Sequence, residues 1–137
     1  MTDSDIHMTG LLEANAEFYR AFRTGDLEAM VALWVADDDI LCTHPGHATL
    51  QGRNDVLESW FDILSSPPPV QVRRAHGVIV GVIAIVSCEE EIGDAVVAAT
   101  NIFRMQDGEW RLMHHHGGQI FATRDPDDDA DEEASLH

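Results

Sequence analysis

Lysine is absent from this 137-residue chain, and its eight positive side chains, all arginines, face 25 acidic ones. A formal net charge of −17 leaves no basic face for a phosphate backbone, so nucleic acid is not an expected partner. An anionic membrane surface is set aside for the same reason. Long apolar runs are missing too. None approaches the ~18 residues that span a bilayer, and residues 1–10 lack the basic-then-apolar order of a secretion signal. The two cysteines, Cys42 and Cys88, do not make a disulfide framework. No fixed-period repeat is found. These absences read as a soluble, cytoplasmic chain. What is present is an ordinary globular balance, 45% apolar and 24% charged, with material for one core.

The acidity is uneven. Seven acidic residues and no basic ones lie between Asp125 and His137, a composition that cannot bury enough to offset ordering entropy. The expected division is therefore a folded domain over 1–124 and a disordered acidic tail over 125–137. Within the first part, Leu11, Leu12, Phe18, Tyr19 and Phe22 form a helical stripe over 9–23, with Thr9 as its cap. Thr24-Gly25 breaks that helix, and Asp26 caps a shorter one carrying Leu27, Met30, Val31 and Trp34. A short strand follows at Ile40–His44, stopped by Pro45. After Gly52, Val56, Leu57, Trp60, Phe61 and Leu64 give a third helix an apolar face, and Ser65–Pro69 ends it.

From residue 70 the apolar period falls from about 3.6 to 2. Val70–Ile79, Val82–Ile92, Ala95–Met105 and Glu109–His116 read as four antiparallel strands, the last stopped by Gly117-Gly118. Gly93-Asp94 and Asp107-Gly108 are tight turn signals. Centring the hairpins on those dipeptides pairs Glu90 with Val97, Cys88 with Ala99, Val86 with Asn101, Met105 with Trp110 and Phe103 with Leu112. The same count pairs Asn101 with His114 and Ala99 with His116. Paired residues share a face, so Glu90, Asn101, His114 and His116 fall together on the aromatic, helix-covered side, with His115 on the other. Polar groups converging on an apolar face suggest a cavity with a polar end. A one-residue bulge would flip part of that face.

Four stretches carry a family resemblance: the Gly25-Asp26 break running to Trp34; Cys42-Thr43-His44-Pro45-Gly46 followed by Gly52 and Ser59-Trp60; Thr100–Arg104 leading into Asp107–Arg111; and His114-His115-His116. In order and spacing they resemble the SnoaL-like branch of the nuclear-transport-factor-2-like superfamily over residues 9–121. The resemblance implies an α+β cone-shaped half-barrel, with three N-terminal helices packed on a curved, mostly antiparallel sheet. It also implies a pocket between sheet and helices and a homodimer through the outer sheet face. The superfamily includes ketosteroid isomerases, whose pairing of a tyrosine with an acidic oxyanion donor is not evident here, since Tyr19 is the only tyrosine.

The expected function is binding of a small, apolar, oxygenated molecule. The expected chemistry is that of a cofactor-independent isomerase, cyclase or dehydratase. His116, His114 or His44 would move the proton, and Glu90 or Asn101 would orient it or hold a developing oxyanion. Trp34, Cys42, Trp60, Asn101 and Phe103 would line the ligand. A metal site built from His44, His114 and His116 with Glu90 is the competing use of these residues, but satisfied structural histidines are the commoner outcome, and neither metal nor other cofactor is expected. The alternative from another class is a non-catalytic homodimeric ligand-binding or association module, its pocket filled by its own side chains. Cutting the chain after Arg124 is expected to leave the melting temperature unchanged; a fall of several degrees would mean that the acidic tail is docked.

Overall fold

The computed structural model describes residues 2–121; the acidic segment over 125–137 lies outside them. Helix α1 (Asp3–Thr24) leads into α2 (Leu27–Leu33), β1 (Leu41–Thr43), β2 (Leu50–Gln51), α3 (Arg53–Leu64), and the long strands β3 (Gln71–Val80), β4 (Ile83–Ile92), β5 (Ala95–Gln106) and β6 (Glu109–Ile120). The six strands form one sheet in the order β2-β1-β6-β5-β4-β3. Every pairing is antiparallel except β1 with β6. The helices cover one face, which makes this the expected α+β half-barrel.

Helix α1 starts a turn and a half earlier than the apolar stripe suggests. Thr2, not Thr9, is its cap: Thr2 Oγ1 accepts the Asp5 N–H and the Asp5 carboxylate accepts the Thr2 N–H, each at 3.2 Å. That reciprocal box satisfies two end donors, and Asp3 and Asp5 suit the positive end of the helix dipole. Gly25, at φ 72°, closes the helix in the left-handed conformation. Asp26 caps α2 through the Ala29 N–H, as expected. The buried stripe of α1 is Leu11, Asn15, Phe18, Tyr19, Ala21 and Phe22. Leu12 is 37% exposed, so a polar residue, Asn15, takes the inward position one turn on from Leu11. In α3, Val56, Trp60 and Leu64 turn inward, whereas Phe61 is 59% exposed.

The β4–β5 register is the expected one throughout, including Glu90 with Val97 and Val86 with Asn101. The β5–β6 register is as expected only as far as Phe103 with Leu112. The next pair is Ile102 with His114, so Met113 is an extra residue on β6. Such a bulge reverses the inward and outward sense of every later residue on its strand. Asn101 therefore pairs with His115, Thr100 with His116 and Ala99 with Gly117. The expected pairings of Asn101 with His114 and of Ala99 with His116 are corrected accordingly: His115 points into the core, and His114 and His116 stand on the outer face.

Strand β6 does not stop at Gly117-Gly118 but runs on to Ile120. Gly117 is needed there for closeness, because a Cβ would come within 3.1 Å of both Pro45 Cγ and Val97 Cγ1. The loop after β1 thus lies directly on the end of β6. Gly117→Val is expected to cost about 1–3 kcal/mol through overpacking, read from equilibrium urea unfolding. An unchanged midpoint would mean that the Pro45 loop yields freely.

Candidate functional site

The inner face carries a connected set of buried polar side chains. Glu90 comes from β4, Asn101 from β5, His115 from β6, and Asn15 and Tyr19 from α1, one turn apart. Asn101 Nδ2 donates to Asn15 Oδ1 at 2.9 Å and to Tyr19 Oη at 3.1 Å. The Asn101 carbonyl oxygen therefore faces His115, whose Nδ1–H donates to it at 2.6 Å. The Tyr19 hydroxyl donates to Glu90 Oε2 at 2.6 Å and lies 3.3 Å from Cys88 Sγ. His115 Nε2, left as the acceptor nitrogen, is 3.7 Å from Glu90 Oε2.

These five side chains are at most 2% exposed, and burial decides their protonation. Desolvation raises the Glu90 carboxyl above its ordinary value, against the opposing pull of the Tyr19 hydrogen bond. Desolvation pushes His115 down to about 3, helped by the other imidazoles around it. Burial thus disfavours the charged form of both groups, and His115 stays neutral, so the two do not meet as an ion pair. The Tyr19 hydroxyl is likewise held in its protonated form by burial and by Glu90. A tyrosine and a carboxyl do meet here, which the sequence reading did not find, but their hydrogen-bonding groups are engaged with each other.

His44 lies toward the surface from this network. Its ring centre is 6.4 Å from that of His115, and Trp60 packs against both at 5.0 and 5.8 Å. The Ser59 hydroxyl donates to the Val56 carbonyl at 2.6 Å, so its oxygen accepts from His44 Nε2–H at 2.9 Å. That fixes the tautomer and leaves Nδ1 as an unprotonated acceptor. Burial, then the nearby His47, lowers the His44 pKa. His44 and Ser59 line a cleft of about 480 Å³ with His47, Ala48, Leu50, Asp62 and Ile63.

Of the residues expected at a site, Glu90, Asn101, Trp60 and His44 are brought together around His115. Cys42 is buried beneath His44, its thiol pushed up to about 12 by burial, so it is not a nucleophile. Phe103 and Trp34 are core residues, Trp34 bridging to Leu112 away from His44. His114 is half-buried and His116 exposed, both on the outer face. Tyr19, Asn15 and Ser59 were not among the expected site residues, and His115 was assigned outward. Asn15 carried a readable signal, since it interrupts the apolar stripe four residues before Tyr19. Ser59 is one turn from Val56, whose carbonyl it caps.

The raised carboxyl and the lowered imidazole have opposite consequences for stability. The folded chain keeps a proton on Glu90 that the unfolded chain releases near 4.5, so this contribution is lost as pH rises through the folded value. The unfolded His115 takes up a proton near 6.5 while the folded one resists until about 3, so stability also falls as pH drops across that interval. Glu90→Gln is therefore expected to gain on the wild type as pH rises from 4.5 toward the folded value, at up to ~1.4 kcal/mol per pH unit. The check is urea unfolding across that range; a pH-independent difference would show an ordinary carboxyl at Glu90.

An NTF2-like family protein from Streptomyces avermitilis, proposed to be a dehydratase, superposes with a TM-score of 0.79 at 29% identity, covering 87% of this chain and 99% of that one. The association domain of a proposed calcium/calmodulin-dependent protein kinase type II from Thiobacillus denitrificans gives 0.67 at 31% identity, covering 78% and 92%. F-box protein SKIP8 of Arabidopsis thaliana is 27% identical over 117 residues, 77% of this chain, and this match spans 48% of that protein's length. The SnoaL-like domain family matches residues 11–122. With its helix-covered curved sheet and its match over nearly all the described residues, this chain belongs to the SnoaL-like family of the NTF2-like superfamily.

Proposed function

We propose that the chain binds a small, neutral, oxygenated organic molecule in the cleft at His44 and moves a proton with that imidazole, as an isomerase, cyclase or dehydratase does. The observation that carries this reading is the fixed tautomer of His44. Ser59 engages Nε2–H, and Nδ1 keeps its lone pair on a group already neutral at pH 7. The cleft volume of about 480 Å³ falls in the range of small-ligand sites. Ala48, Leu50 and Ile63 suit an apolar body, and Asp62 suits a hydroxyl and opposes an anion. The dehydratase chemistry proposed for the Streptomyces protein is of the same proton-transfer kind. In this reading Trp60 and the Glu90–Asn101–His115 network form the fixed wall behind His44. His114 and His116, on the opposite face of the sheet, take no part.

A second reading, a non-catalytic homodimeric module, is supported by two observations. Phe18, Phe22 and Trp60 pack edge to face at 4.9–6.1 Å and occupy the interior. On the outer face, Leu41, His114, Ile102, Ile85 and Val78 stand in register across five strands, with Ile85 41% and Val78 47% exposed. The name of the Thiobacillus domain is of this kind.

Imidazole-detected ¹⁵N NMR separates the two. Cyclohexanone and phenol, used as probes, are expected to shift the His44 ring nitrogens, and His44→Gln to weaken binding about tenfold, the worth of one hydrogen bond. Probes that leave His44 untouched while titrating other residues would overturn the ligand-binding reading.

A further inference from the structure

We propose that His114 and His116 form a two-imidazole chelate for a divalent transition-metal ion on the outer face of the sheet. This goes beyond the cleft reading, because the two sites lie on opposite faces. The Met113 bulge puts both imidazoles on the same outer side of β6, two residues apart, with His115 turned away between them. Their ring centres are 6.2 Å apart and their planes are inclined at 53°. Two imidazoles on one tetrahedral ion, with metal–nitrogen bonds of about 2.0–2.1 Å, bring ring centres to ~5–6 Å. A small side-chain rotation closes the remaining difference.

The surroundings suit an ion of this class. His114 is flanked by Leu41 on β1 and Ile102 on β5, whose side chains limit its freedom; His116 is flanked by Thr43 and Thr100. Thr43 is engaged with Thr49 at 2.8 Å, whereas Thr100 is exposed. The net charge of −17 raises the local concentration of cations. Among the described residues no three of His, Cys, Asp and Glu converge as a ligand set. The protein's share is therefore two nitrogens per chain. Imidazole donors without carboxylates select nickel, copper, zinc or cobalt over magnesium or calcium.

The test is calorimetric titration of the full chain with Ni²⁺ in a non-coordinating buffer. One ion per chain is expected, with His114→Gln and His116→Gln each weakening affinity at least ~10-fold and His47→Gln leaving it unchanged. Melting temperatures within a degree or so of the wild type would confirm that the variants are folded. Thr100→His, across from His116, supplies a third imidazole and is expected to tighten binding at least ~10-fold. Absence of Ni²⁺ binding, wild-type affinity in either glutamine variant, or no gain from Thr100→His would each overturn the proposal.

Discussion

One extra residue, Met113, sets the phase of the last strand, and the inner face of the protein follows from it. On a regular strand His115 would point to solvent and His114 and His116 would enter the core. With the bulge, a single imidazole enters, directly opposite Asn101. Burying two imidazoles would have required partners for four ring nitrogens. Burying one requires partners for two, and Asn101 and Glu90 face those two nitrogens. A buried polar group left without a partner costs about 1–3 kcal/mol, so the bulge and the network stabilise each other.

The network is also self-consistent in its protons. Asn101 can present its carbonyl to His115 only because both hydrogens of its amide nitrogen are directed at α1, to Asn15 and Tyr19. The first helix is thereby locked to the middle of the sheet by polar contacts within an otherwise apolar interface. A neutral His115 avoids the several kcal/mol that burying its charge would cost. Acid–base chemistry is then left to the imidazole that remains partly exposed: His44, at the edge of the network, is half-buried and lines a cleft.

Much of this architecture was legible in the residues, and the exceptions have identifiable physical causes. The change of period near residue 70, the Asp26 cap and both hairpin turns are local signals and behave locally. So does the β4–β5 register, because Gly93-Asp94 fixes it from one end. The β5–β6 register is equally fixed by Asp107-Gly108 for its first four pairs. It departs at Met113, where His115 comes to lie opposite Asn101, a contact across the sheet that no dipeptide encodes. The start of α1 was hidden because its first turns are held by a capping box rather than by an apolar face. Gly117-Gly118 resembled a terminator, but Gly117 answers the close approach of Pro45, a contact distant in sequence.

The run His114-His115-His116 shows how far a motif depends on backbone phase. Three identical side chains in sequence occupy two unlike environments, because a strand sends neighbours to opposite faces. His115, fully enclosed and held neutral, serves as a hydrogen-bonding strut. Its neighbours keep partial access to solvent and a shared outlook suited to a metal ion. The sheet separates them from His44, so loading the outer pair need not disturb the cleft. The separation works in the other direction as well: the buried network fixes the middle histidine of the run and so holds the two outer rings in a constant relation. The same bulge that completes the core thereby spaces the pair on the surface, and one backbone irregularity accounts for both.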